Sequence, residues 1–329
     1  MDGWLQDTSA APAPRYTVFG MKNLFLIPIL AAALLLPALA QTSANPFLGR
    51  WDLTVTGPRN NFPDWLEVTE KDGALAARYQ PSGGASQPIR ALKMDGARLI
   101  LTISPATKAR PETVWELTAN GDKISGVQKN GDAESAKLEG SRAPALNRAA
   151  PKAWTNPEPL FNGKDPTGWE PVGGAENHWV VKDGQLVNAE RGANIKTTRK
   201  FDDFKLHIEF NCPDEHCNSG VYLRGRYEVQ VGTEGGTLPS HEQGAIYGMI
   251  APSPALPLGF GQWQVYDIAL VGRHVTVIQN GTKIHDNVEI PGITGGALDA
   301  NEGDPGPFFL QGDHGPIAYR NITISTPKN

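Results

Sequence analysis

The sequence predicts an all-β protein, a small antiparallel barrel followed by a two-sheet sandwich. Three observations carry that reading. Apolar and polar residues alternate with the period of two that a half-buried strand requires, as in Trp51, Leu53 and Val55 against Asp52, Thr54 and Thr56. Asp-Gly and Asn-Gly pairs stand between the alternating runs, where two-residue hairpin turns need backbone at positive φ. The 36 Gly and 27 Pro are high for a helical chain of 329 residues, and no heptad, βαβ alternation or solenoid repeat breaks the pattern.

The first segment, residues 1–20, is polar and contains prolines. It reads as an extension from a start codon placed too early, because the next segment begins as a chain terminus would. From Met21 a basic start, an apolar run and Ala38-Leu39-Ala40 describe a secretory signal peptide over 21–40, cleaved after Ala40. The run is shorter than the roughly 18 residues needed to span a bilayer, and no other segment could do so. The mature protein is therefore expected to be periplasmic or secreted, with no membrane contact after cleavage. Residues 45–142 form a meander punctuated by Asp72-Gly73, Asp95-Gly96, Asn120-Gly121 and Asn130-Gly131. A meander of that size must close or be covered to hide its edges, which predicts a lipocalin-like up-and-down barrel. The residues leave open whether it captures a ligand, docks or packs. A Pro- and Ala-rich linker over 143–156 has little to bury.

The second domain, 157–326, supplies a hairpin around Asp183-Gly184, alternation from Phe204 to Asn211, strands from Trp263 to Leu270 and Arg273 to Gln279, a turn at Asn280-Gly281, and closing strands at 308–311 and 317–324. Short strands of that number suit a sandwich with one concave face. Export makes the two cysteines, Cys212 and Cys217, a disulfide. The loop between them, with His216, lacks the four ligands of a structural zinc site. A formal charge of −5 with scattered Lys and Arg excludes nucleic acid as a partner.

All seven histidines lie beyond the linker, so any active site is expected there. From Asn218 to Val231 the chain reads as one strand with Val221, Leu223, Tyr227 and Val229 inward and Tyr222, Arg224, Arg226, Glu228 and Gln230 in a row on the other face. Such a row can grip a polyhydroxylated ligand or can be a solvated face paired to its neighbours. Three further groups carry polar chemistry. They are the loop with His241, Glu242, Gln243 and Tyr247, the strand with Trp263 and Asp267 on one parity, and Gln311-Gly-Asp-His314 at a strand end. Each has a structural alternative: a solvated turn, a core Trp, an exposed His. Nucleophile elbows, phosphate loops and HExxH helices are missing from the sequence.

Read in order, these segments resemble the 3-keto-disaccharide hydrolase domain family. The resemblance runs through Leu160-Phe-Asn-Gly-Lys-Asp-Pro-Thr-Gly-Trp169, Trp179-Val-Val-Lys-Asp-Gly-Gln-Leu186, Asn218-Ser-Gly-Val-Tyr-Leu-Arg224 with Tyr227-Glu-Val-Gln230, Gly244-Ala-Ile-Tyr247, Trp263 to Asp267, Asn280-Gly281 and Gly306 to Asn321. It covers the second domain and not residues 45–142. The Cys212 to Cys217 insert and an additional Gly-Asp before His314 depart from it. The resemblance implies a concanavalin A-like jelly roll and cleavage of glycosides already oxidised to a ketone at C3. The ketone acidifies the C2 proton, a base removes it, the C1 aglycone leaves by β-elimination, and water adds to the product. No redox cofactor is required, because a separate glycoside 3-dehydrogenase would supply the oxidised sugar. By motif position Glu228 is the expected base, Arg224 the cation for the enolate and His314 the acid, with Glu242 competing for either proton role. Tyr222, Arg226, Gln230, Gln243, Tyr247, Trp263 and Gln311 would hold the sugar. A divalent metal could replace Arg224, with Glu228, His241 and Glu242 as candidate ligands. The alternatives are a non-catalytic, lectin-like binding protein and a conventional glycoside hydrolase using Glu228 and Glu242.

Overall fold

A computed structural model describes residues 45–235 and 238–328. The extension and signal peptide expected over 1–40 lie outside the described residues. Among the described residues the regular structure is strand apart from one 3-10 turn, Pro239–His241, and no helix is long and apolar enough to cross a membrane. The chain from Ser43 to Asn329 is a single compact unit.

Nine strands make the N-terminal sheet: β1 (Gly49–Thr56), β2 (Asn61–Lys71), β3 (Ala74–Gln80), β4 (Gln87–Pro88), β5 (Ala91–Asp95), β6 (Arg98–Ser104), β7 (Thr113–Asn120), β8 (Lys123–Asn130) and β9 (Ala133–Arg142). Their order is β4-β3-β2-β1-β9-β8-β7-β6-β5, so the meander curls until its first and last strands pair. No ladder joins β4 to β5, and the barrel stays open along that seam. β4 is only two residues long and ends at Pro88, which has no N–H to offer a neighbour. The full closure of a lipocalin-like barrel is therefore not reached. Trp51, Leu53, Leu66, Leu99, Leu101, Trp115 and Leu117 fill the interior.

The hairpin turns follow the sequence with one shift. Asp72-Gly73 and, in the second domain, Asp183-Gly184 and Asn280-Gly281 place both residues at positive φ. At Gly96, Gly121 and Gly131 only the glycine is left-handed, and the preceding Asp95, Asn120 and Asn130 end their strands. Glycine at the first central position is the type II′ arrangement.

The second domain is a jelly-roll sandwich of the concanavalin A-like kind that the resemblance implies. Its larger sheet contains β10 (Glu158–Pro159), β12 (Trp179–Lys182), β13 (Gln185–Asn188), β15 (Phe204–Asn211), β18 (Gln264–Val271), β19 (His274–Gln279), β20 (Thr282–Glu289) and β22 (Ile317–Ser325). The smaller runs β11-β14-β21-β16-β17, from Trp169–Val172, Asn194–Thr197, Phe309–Leu310, Asn218–Leu223 and Tyr227–Gly232 respectively. Phe204, Leu206, Ile208 and Phe210 of one sheet share a core with Val221, Leu223, Tyr227 and Val229 of the other. The Cys212–Cys217 disulfide, fully buried, staples the connection from β15 to β16.

The segment 218–231 is not one strand. Arg224 (φ 53°) and Gly225 (φ 68°) turn the chain back, so β16 and β17 form a hairpin in which Tyr222 faces Glu228 and Gly220 faces Gln230. Even-numbered residues in the two strands still share one face, because opposed residues in this register have the same parity.

The barrel and the sandwich are joined by buried contacts. Trp65 of β2 packs into the sandwich core. Arg273, on the sandwich, donates to the Pro144 carbonyl at 2.7 Å and pairs with Glu302 at 3.0 Å. Asp52 of β1 is buried against its own strand's alternation; burial and the nearby Glu302 push its carboxyl up to about 10. Both causes favour the neutral acid form of Asp52 beside Glu302.

Candidate active site

The outer face of the β16–β17 hairpin forms the floor of a cavity of about 320 Å³, lined by Asn218, Tyr222, Glu228, Gln230, Glu234, Tyr247, Gly295, Gly296, Gln311, Asp313 and His314, and walled by Ser82, Gly83 and Gly84 from the barrel. Among the expected site residues, Tyr222, Glu228, Gln230, Tyr247, Gln311 and His314 meet there.

Glu228 is 2 % exposed. It fits because position 220, beside it on β16, is glycine: a Cβ there would stand 2.1 Å from Glu228 Oε1. Gly220 has ordinary φ, so the close approach alone requires glycine. Gly220→Ala should displace the carboxyl and lower kcat at least tenfold with the fold retained, measured by steady-state kinetics and circular dichroism; unchanged kcat would show that the carboxyl position is not critical.

The Tyr222 hydroxyl lies 2.8 Å from both Glu228 Oε2 and the Gly295 carbonyl. A phenol has one proton, a carbonyl can only accept, and an ionised carboxylate can only accept. Both contacts are satisfied together when Glu228 carries a proton and donates it to the Tyr222 oxygen. Burial drives Glu228 the same way: desolvation raises the carboxyl well above the ordinary range, and the charges of Glu234 and Asp313 add to the rise, whereas a Tyr222 proton donated to the carboxylate would work against it.

Asp313 and His314 form a second titratable pair in the cavity. Asn194 Oδ1 accepts from the Gly312 and Asp313 N–H groups at 2.7 and 3.1 Å and so fixes the loop. His314 Nδ1 sits 2.7 Å from Asp313 Oδ1. That hydrogen bond is the main cause of a His314 pKa above its usual value, with burial opposing. Burial pushes Asp313 up, but the hydrogen bond and charge of His314 outweigh it and hold the carboxylate below its ordinary range.

At the rim, Tyr247 donates to Glu234 at 2.8 Å and His241 Nδ1 lies 2.9 Å from the same carboxylate. Gln230 donates to Asn218 at 2.9 Å. Gln311 lines the cavity, and its buried Oε1 has no hydrogen-bond partner among the described residues.

Several expected residues lie elsewhere. The turn at Arg224–Gly225 carries the two arginines off the floor. Arg224 donates to the Gly272 carbonyl at 2.9 Å and to the Tyr227 hydroxyl at 3.1 Å, and Tyr227 donates to Glu302 at 2.7 Å. Arg226 donates to Asp299 at 2.7 Å and to the Asp304 carbonyl at 2.8 Å. Neither lines the cavity. Gln243 is buried in an amide cluster with Gln264 at 2.9 Å. Trp263 lies under Arg320, 3.9 Å from guanidinium carbon to ring centroid, and Asp267 pairs with His207. Glu242 is half-buried and outside the cavity. The candidate ligands Glu228, His241 and Glu242 do not converge, and among the described residues no three His, Cys, Asp or Glu side chains are gathered to hold a metal. The residues present do not fit a divalent ion, so no step is routed through one.

The sequence reading missed Glu234, Asn218, Gly295–Gly296 and the barrel loop as cavity residues. Asp313 stood out only as an additional residue before His314. The one usable signal for the floor was Asn218-Ser-Gly220, a glycine within a strand.

Three solved structures from Parabacteroides distasonis ATCC 8503, each a "putative glycosyl hydrolase", resemble the chain; one has 32% identity over 54% of this chain and 92% of that one, with a TM-score of 0.45. Another of them has 26% identity over 52% of this chain and 98% of that one, TM-score 0.40. A carbohydrate binding module from Bacillus subtilis has 13% identity over 48% of this chain and 95% of that one, TM-score 0.32. No curated protein matches. The 3-keto-alpha-glucoside-1,2-lyase-like domain matches residues 156–325, the whole sandwich and its cavity floor, and the chain belongs to that carbohydrate-active family.

Proposed function

We propose that the protein is an exported enzyme that cleaves 3-keto-glycosides, 3-keto-disaccharides among them, by eliminating the C1 aglycone and hydrating the product. The supporting observation is one cavity that brings together a buried carboxyl with a raised pKa, Glu228, and a His–Asp pair, His314 and Asp313. The chemistry needs a base and an acid together. Loss of the C2 proton turns the C3 ketone into its enolate, with the charge on the C3 oxygen; the ketone re-forms as the C1–O bond breaks and a C1=C2 double bond forms. The leaving oxygen takes a proton, and water then adds across C1=C2 to give the free 3-keto sugar.

The protonation pattern favours the reverse of the division expected from motif position. Glu228, with its pKa raised by burial and a proton that satisfies both Tyr222 contacts, serves as the acid for the leaving oxygen. His314 in its neutral form takes the C2 proton through Nε2, and the Asp313 hydrogen bond that raises its pKa holds the proton once taken. Asp313 fixes the tautomer and stabilises the imidazolium. No Lys or Arg lines the cavity among the described residues, so the enolate oxygen takes hydrogen bonds from the Asn218, Gln230 and Gln311 amides. A separate glycoside 3-dehydrogenase would make the ketone. Export accords with the buried Cys212–Cys217 disulfide.

The deciding experiment incubates the mature protein with 3-keto-trehalose and with unoxidised trehalose, with and without chelator, and follows loss of each sugar. Cleavage of the keto sugar alone is expected. Cleavage of trehalose would support a conventional glycosidase, and saturable binding without product would support a lectin-like role.

A further inference from the structure

We propose that the barrel loop Ser82–Gly84 is the specificity-determining wall of the sugar cavity, limiting what can be attached to the reacting ring. The inference rests on the saccharide reading above. Gln80, the last residue of β3, is fully buried, and its Nε2 donates to the carbonyls of Pro81 at 2.8 Å and Gly84 at 2.7 Å, so the loop is clamped from within. The buried Asp64 carboxyl accepts from the Ser82 N–H, and burial holds that carboxyl up at about 8.

The clamped loop is then pinned to the sandwich. Gly296 N–H donates to the Ser82 carbonyl at 2.8 Å. A Cβ on Gly295 would stand 2.2 Å from the Gly84 carbonyl oxygen, and one on Gly248 would stand 2.7 Å from Ala85. Gly295 has ordinary φ, so only the loop's approach requires glycine there. The same Gly295 offers its carbonyl to Tyr222, the partner of Glu228. The wall is therefore linked to the acid through two residues, Gly295 and Tyr222. It cannot swing aside with the barrel, because Trp65 is locked in the sandwich core, where a Cβ on Gly292 would meet its indole nitrogen at 2.3 Å.

The sandwich alone would leave the cavity open on this side. With the loop in place the volume is about 320 Å³, at the small end of the ~300–1,000 Å³ range of ligand sites. That space selects short glycosides with a compact aglycone and excludes a polysaccharide chain. Gly83 leaves the wall bare: a Cβ there meets nothing within 4 Å, and its φ suits any residue.

The test compares wild type with Ser82→Trp and Gly83→Trp in the full chain, since adjacent positions present their side chains in different directions. At least one variant should lose tenfold or more in kcat/KM for a 3-keto-disaccharide and less than threefold for methyl 3-keto-glucoside, with Tm unchanged. Equal effects on both substrates, or none in either variant, would overturn the inference. Should a Trp variant fail to fold, Gly83→Leu replaces it under the same criterion. If wild type cleaves no 3-keto-glycoside, the functional reading fails separately. Calorimetric binding of trehalose and of methyl glucoside then decides the wall: selective loss of trehalose binding in a variant supports it, and unselective or absent loss overturns it.

Discussion

Glu228→Gln is expected to cut turnover of a 3-keto-glycoside by roughly 10²–10⁴-fold, the range for removing a general acid or base, and to make the protein more stable at neutral and alkaline pH. The first effect follows from chemistry: an amide of the same shape can donate to the Tyr222 oxygen but cannot pass a proton to a leaving group. The second follows from linkage. Glu228 has a folded-state pKa above its ordinary 4.5, caused first by burial. The folded protein thus binds this proton more tightly than the unfolded chain. Its contribution is fully present below about pH 4.5 and is lost as pH rises through the folded-state value. The Gln variant does not titrate and escapes that loss, so its Tm should exceed wild type's by a margin that widens with rising pH. Full activity in the variant would remove Glu228 from the chemistry. Lower stability than wild type at pH 8 would contradict the protonated resting state.

Asp313→Asn separates the two possible roles of His314. The carboxylate holds the His314 pKa up, mainly through the 2.7 Å hydrogen bond. Its loss lets that pKa fall. If His314 is the base, the active form is neutral imidazole, and the ascending limb of the kcat/KM profile moves to lower pH. If His314 is the acid, the active form is imidazolium, and the descending limb moves to lower pH instead. The first outcome is expected, with a fall of at least tenfold at the optimum because the ring loses its anchor and its tautomer. His314 contributes stability below about pH 6.5 that is lost as pH rises past its raised folded-state value; Asp313, depressed, contributes above about pH 3.8 and loses this as pH falls. The variant should therefore lose most of its stability difference from wild type at strongly acid pH, where Asp313 is protonated in both states.

Much of the architecture was legible because it is locally encoded. Alternation places Phe204, Leu206, Ile208 and Phe210 inward and needs no knowledge of the partner sheet. Asp183-Gly184 and Asn280-Gly281 specify tight turns through backbone preference alone. The site was legible only in part. Glu228, Tyr222 and Gln230 could be placed on one face by parity, since a hairpin whose opposed residues share parity preserves the face. Arg224 and Arg226 could not. Parity assumes an unbroken strand, and Arg224-Gly225 is a turn that redirects both buried guanidinium groups to partly exposed Asp202 and Asp299 and, for Arg224, to the buried Tyr227–Glu302 network.

By itself the sequence determined the all-β class, the hairpin punctuation, the cysteine pair and the order of segments that mark the family, because each depends on residues near one another in the chain. Tertiary structure alone decided which polar groups share a cavity. Glu228 is brought to Asp313 and His314 by the packing of β21 on β16, and Ser82–Gly84 arrives from a different domain by the docking of Trp65. The raised pKa of Glu228 is likewise a tertiary property: burial is its first cause and the charges of Glu234 and Asp313 add to it, and none of these can be read from the residues beside it in the chain.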